Sequence, residues 1–168
     1  KGYQEFQVPF FPLETGPLII QSRLAEVPML LADSLVDEVR GWGGREPEDP
    51  IEVFREILQA NGYKGLKVGL EVPGYYLHPH HHNQLVDLLG DDLVMDATDL
   101  IGNIKLIKSP AEINYVRKAG EMVDQGMDTC IASIEPGRTE RAISAEIHHT
   151  LLAVGSDIQA SPMNFLSG

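Results

Sequence analysis

The stretch Ile104-Lys105-Leu106-Ile107-Lys108-Ser109-Pro110-Ala111-Glu112-Ile113 divides the chain into two kinds of sequence. Ser109 followed by Glu112 is a capping box. The serine oxygen can accept from the backbone N–H three residues on, and the glutamate can reach back to the serine N–H. Pro110 falls at the first helical position, where its missing N–H costs nothing. Downstream, Ile113, Val116, Gly120, Val123, Met127, Cys130 and Ile134 recur at spacings of three and four, which is one face of an amphipathic helix. Pro136-Gly137 stops it. A helix of roughly 25 residues is about 37 Å long. The spacing therefore predicts a helix over 110–134 that opens a second structural unit.

Ahead of that stretch the pattern is α/β. Phe6-Gln7-Val8-Pro9-Phe10-Phe11 reads as a strand, with Pro9 favouring an edge. Leu18-Ile19-Ile20 reads as its hairpin partner and Met29-Leu30-Leu31 as a third short strand. Asp37 to Pro50 is polar, Gly-rich and loop-like, and carries the only tryptophan, Trp42. Ile51, Phe54, Ile57 and Leu58 share a helical face, with Asp49 as N-cap, Pro50 in the first turn and Asn61-Gly62 as the stop. Lys67 to Glu71 is a strand, Asn83 to Leu89 a short helix and Leu93 to Asp96 another strand. Residues 1–104 thus read as a mixed sheet with helices. Residues 105–168 read as the beginning of a second unit: the long helix, a shorter one opened by Thr139 and ended by Gly155, and a first strand at Met163-Asn164-Phe165-Leu166. Two helices and one strand cannot enclose a core of their own.

Bulk composition narrows the function. The 168 residues carry a formal net charge of −12, which argues against nucleic acid or an anionic membrane as the main partner. The apolar fraction of 43% is ordinary, and no run approaches the ~20 apolar residues of a membrane span. The first residues, Lys1-Gly2-Tyr3-Gln4, show no apolar signal segment and no initial Met, so a trimmed chain is expected. Cys130 stands alone on the apolar helical face and reads as a small core residue. The absence of paired cysteines fits a reducing, cytoplasmic setting.

Few residues group in a way that suggests chemistry. His78-Pro79-His80-His81-His82 offers imidazoles suited to Zn, Cu or Ni. Adjacent side chains do not converge on one ion, no cysteine is near, and a polar loop leading into the helix is the preferred reading. Glu146-Ile147-His148-His149 lacks the two histidines four apart of a metalloprotease helix. Asp91-Asp92, Asp96 and Asp99 gather around a strand end, an arrangement more often found in solvated turns than in acid–base pairs. Gly41-Trp42-Gly43-Gly44 lacks the context and the lysine of a phosphate loop.

From Tyr75 onward the chain resembles the creatinase/prolidase/aminopeptidase P family, the pita-bread metallohydrolases. The matching pieces, in order, are Asp96-Ala97-Thr98-Asp99-Leu100, Ile107 to Ile113, Val116-Arg117-Lys118-Ala119 and Ile134-Glu135-Pro136-Gly137-Arg138-Thr139-Glu140. Gly155-Ser156 and Phe165-Leu166-Ser167-Gly168 complete the set. Their order and spacing carry the likeness. The resemblance implies an α/β fold: a creatinase-like N-terminal domain over 1–104, entered part-way, then the first two helices and first strand of an α+β pita-bread catalytic domain over 105–168. It also implies hydrolysis of a small peptide or a compact C–N-bonded metabolite by water activated on a divalent metal pair.

In that family two Asp, one His and two Glu hold the metals, all beyond the segment that resembles Ser167-Gly168, so no catalytic residue and no metal ligand is assigned in this chain. Family members dimerise, and the N-terminal domain of one subunit can border the neighbour's active site, which makes Tyr3, Gln4 and Trp42 the substrate-contact candidates. The family's range extends to an ectoine-degrading hydrolase and a sulfonium-acid lyase. A reading of another class is a non-catalytic dimerisation or substrate-gating module.

Overall fold

In a computed structural model, residues 6–14, 16–44, 49–72, 77–157 and 163–166 are described. The chain divides into two compact units, Lys1–Ile104 and Lys105–Gly168.

The first unit contains β1 (Val8–Phe10), β2 (Ile19–Arg23), α1 (Val27–Asp33), β3 (Glu38–Trp42), α2 (Pro50–Ala60), β4 (Val68–Leu70), α3 (Pro79–Leu89) and β5 (Leu93–Asp96). A further short helix, α4 (Leu100–Leu106), follows. β2 is the middle strand of three. It runs antiparallel to β1, with Pro9 opposite Ile20, and parallel to β3, with Ile20 opposite Val39. Pro9 sits on the edge strand, where its missing N–H breaks no ladder. β4 and β5 form a separate parallel pair joined through α3.

Two expectations fail here. Met29-Leu30-Leu31 is not a strand but the middle of α1. Pro28 lies in the first turn of that helix, where proline favours a start, and a 3-10 turn at Leu24–Glu26 leads into it. The stretch after Asp37 is not a loop either, because Glu38–Trp42 pairs along the whole of β2. Its composition hides this: Glu38 and Arg40 lie at the surface and are ion-paired, Arg40 reaching Glu38 at 3.5 Å and Glu56 at 3.4 Å. Gly41 is required by close approach. A Cβ there would lie 2.8 Å from Leu24 Cδ1 and 3.1 Å from Leu24 Cα.

α2 supplies half of the buried apolar residues described in this unit. Asp49 caps it by accepting from the Ile51 N–H at 2.9 Å. Ile51, Phe54 and Leu58 are buried with Phe6, Leu70, Leu85 and Leu89. Val53 and Ile57 are buried with Ile19. Each such side chain contributes about 1.5–3 kcal/mol relative to exposure. Two buried polar residues of β2 are hydrogen-bonded, one to a distant carbonyl and one locally. Gln21 Nε2 donates to the Pro50 carbonyl at 2.6 Å, and Ser22 Oγ donates to Glu26 at 2.5 Å. The Ser22 hydroxyl, and then Arg23, hold the Glu26 carboxyl below its ordinary range.

The second unit contains α5 (Pro110–Ser133) and α6 (Glu140–Ala153). The capping box forms: Glu112 N–H donates to Ser109 Oγ at 3.2 Å, and Ser109 N–H donates to the Glu112 carboxylate at 2.7 Å. Thr139 caps α6 in the same way through the Ala142 N–H. The seam between the helices closes at Gly126, where a Cβ would stand 2.9 Å from Leu151 Cδ2. Cys130, Ile143 and Ile147 are buried there, with Leu151, Met163 and Phe165 packed against them.

The buried face of α5 is not the one its periodicity suggests. Gly126, Cys130 and Ser133 are buried, whereas Val116, Val123, Met127, Ile131 and Ile134 are each more than half exposed. The strand expected at Met163–Leu166 does not form. Those residues are irregular, and among the described residues the second unit has no other strand to pair with.

Candidate functional site

Trp42 is the last residue of β3, half-buried against both apolar clusters of the first unit. Its indole N–H is already engaged, donating to the Phe6 carbonyl at 2.9 Å. Any further contact it makes must therefore use the ring. Tyr3 and Gln4 lie outside the described residues.

The histidine run does not lie in a loop. It forms the first turn of α3, because His78 with Pro79 makes a helix start that the sequence hides behind an unusual capping residue. His78 Nδ1 accepts from the His80 N–H at 3.1 Å. The His81 ring stands edge-on to Phe6, 5.1 Å between centroids. His82 and Asp96 line an open depression of about 290 Å³ with Leu70, Val72 and the other residues of β5. The Asp96 carboxylate is committed to a turn, with Oδ1 accepting from Thr98 N–H at 2.9 Å and Thr98 Oγ1 at 2.5 Å. These bonds, with a smaller effect of nearby His82, hold its carboxyl below the usual range. Thr98 Oγ1 also accepts from the Val72 N–H at 3.1 Å, tying the ends of β4 and β5 together. Asp92 accepts from the Gly65 N–H at 2.9 Å. The aspartates of this region thus anchor turns.

The polar cluster that the sequence conceals lies in the second unit. Glu146 on α6 receives Ser133 Oγ at 2.5 Å and Arg138 Nη1 at 3.1 Å, and Arg138 Nη2 closes the pair on the other oxygen. Arg138 also donates to the Ser133 carbonyl at 3.2 Å. Arg138 first, then Ser133, lowers the Glu146 carboxyl to about 2. The arginine clamps the turn between α5 and α6. Three residues five and eight positions apart leave no local signal for such a cluster. His148 is exposed, with its Nδ1 at 2.7 Å from the Ser144 carbonyl.

Among the described residues no three His, Cys, Asp or Glu side chains converge in a way that could hold a metal ion. These residues do not fit the metal pair that the resemblance implies, and no step through such a pair is derived from them. Also among the described residues, no helix is long and apolar enough to cross a membrane.

No protein-family model matches the chain. It is 35% identical over 146 residues to a probable dipeptidase PepE of Mycobacterium tuberculosis, which covers 86% of this chain and 36% of that protein. It is 33% identical over 92 residues to an ectoine hydrolase of Halomonas elongata, covering 55% of this chain and 23% of that protein. Among solved structures, an X-Pro aminopeptidase from Thermotoga maritima is similar at a TM-score of 0.67 and 19% identity, over 89% of this chain and 40% of that one. That likeness is one of fold, a mixed α/β arrangement. The chain spans roughly a quarter to a third of the length of the curated relatives it matches. Together these likenesses support a creatinase/prolidase-family relationship over the part of each relative that the chain spans.

Proposed function

We propose that the chain is the front part of a metal-dependent hydrolase acting on a small peptide or a compact C–N-bonded metabolite. The observation that carries this is the likeness to a dipeptidase across 86% of the chain. The resemblance puts the family's metal ligands beyond the segment that resembles Ser167-Gly168, so none is assigned in this chain. The role left to this part is to support the catalytic half and to border the substrate, with Trp42, Tyr3 and Gln4 as the contact candidates in a cytoplasmic homodimer.

Metal analysis and a Xaa-Pro dipeptide hydrolysis assay on the 168-residue chain test the proposal. The expected result is no stoichiometric metal and no turnover. Bound metal at one or two equivalents with turnover overturns it. In a longer, active protein, Trp42→Ala should raise KM more than it lowers kcat; an unchanged KM removes Trp42 from the substrate's border.

A second reading, a non-catalytic association module, is favoured by one observation: among the described residues, Val116, Val123 and Met127 of α5 and its C-cap Ile134 are each more than half exposed. Sedimentation of the isolated chain tests it: a monomer counts against the module, whereas an inactive dimer fits both readings.

A further inference from the structure

The histidine run has no part in the proposed hydrolysis, yet the fold assigns its imidazoles distinct places. His78 is the N-cap of α3, with extended backbone at φ −64° and ψ 137°, and its Nδ1 is the acceptor for the His80 N–H at 3.1 Å. The His82 N–H makes the first helical bond, to the His78 carbonyl at 3.0 Å. The His81 ring rests on Phe6, which is 2% exposed and part of the larger core cluster. It also lies 6.1 Å from the His78 ring and 5.8 Å from the His80 ring. The first turn of α3 contains no acidic residue.

The usual N-caps, Ser, Thr, Asn and Asp, keep their acceptor across the physiological pH range. An imidazole does not. Nδ1 accepts only when it carries a lone pair, with the proton on Nε2; protonation turns it into a donor facing another donor. Histidine is the side chain whose charge changes between pH 5 and 8. A positive charge at this end of a helix is further opposed by the macrodipole. The titratable groups set against the turn include His80, His81 and His82 of α3 itself and Asp96 from β5. Asp96 lies beside His82 in the depression that both line.

We propose that the start of α3 is an acid-released latch. Neutral His78 closes the first turn, and proton uptake at His78 removes the cap and loosens the turn that seats His81 on Phe6. The bond is present above the pH at which His78 takes up its proton and absent below it.

Amide exchange by NMR on the 168-residue chain, expressed as protection factors, tests this with His78→Asp and His78→Ala. Wild-type protection at residues 80–83 should fall about fivefold between pH 7.5 and 5.5, the size of one lost N-cap. The Asp variant should stay flat, because its carboxylate remains ionised above about pH 4. The Ala variant should be low at both pH values. A flat wild type overturns the latch. So does an Asp variant that falls as much as wild type, because the charge of the other imidazoles would then be responsible. Imidazole ¹⁵N shifts give a check independent of folding: His78 must carry its proton on Nε2 at pH 7.5, and the opposite tautomer overturns the assignment.

Discussion

α2 and α5 begin alike and end differently. Each opens with a side-chain cap followed by proline, and each carries apolar residues at spacings of three and four. α2 buries six of its 11 residues, whereas α5 buries three of 24. The local chemistry that starts a helix is complete in both. What differs is the supply of a covering surface. Sheet strands and α3 close over α2, and within the second unit, among the described residues, α6 with Met163 and Phe165 closes over part of α5. Capping therefore says where a helix is and nothing about how much of it is held.

Stability measurements can break that contrast or sharpen it. Trp42 is the only tryptophan and sits in the first unit, so its fluorescence follows that unit, while helical circular dichroism follows both. The largest expected effect is Phe54→Ala. Phe54 is 3% exposed, and its loss should cost about 3–5 kcal/mol in urea unfolding read at Trp42. A cost under about 1 kcal/mol would mean the α2 core is not packed as described.

Next comes Ser109→Ala, which removes the cap of α5 and should cost about 1 kcal/mol read by circular dichroism. A silent Ser109→Ala would show that the capping box forms without holding the helix. Ile131→Ala should lie within about 0.5 kcal/mol, since Ile131 is 67% exposed. If it instead costs as much as Phe54→Ala, something covers the α5 stripe in solution and the contrast between the two helices disappears.

The smallest effect belongs to Glu146→Gln, because the Arg138 pair is open to solvent. The sign is nevertheless fixed. The Glu146 carboxyl is lowered from 4.5 to about 2 in the folded chain. Its contribution is therefore complete above about pH 4.5 and fades as pH falls towards 2. Acid titration of the helical signal should show wild type losing stability across that window more steeply than Glu146→Gln. Parallel curves would remove the clamp from the account.

The sequence by itself determined where α2, α5 and α6 start. Asp49-Pro50, Ser109-Pro110-Ala111-Glu112 and Thr139 each act through a side chain reaching a backbone group two or three residues away, so the information is local. His78 caps by the same short reach, but imidazole is an uncommon cap and the run reads as a loop. Tertiary structure alone decided the rest. Glu38–Trp42 is a strand because β2 lies beside it, whereas Met163–Leu166 is irregular and has no strand beside it among the described residues. Val116, Val123, Met127 and Ile134 form an apolar stripe in sequence and are each more than half exposed among the described residues, and Arg138 meets Glu146 only when two helices fold back on one another. Pairing and covering are relations between distant segments, and their free energy is released only when both are present.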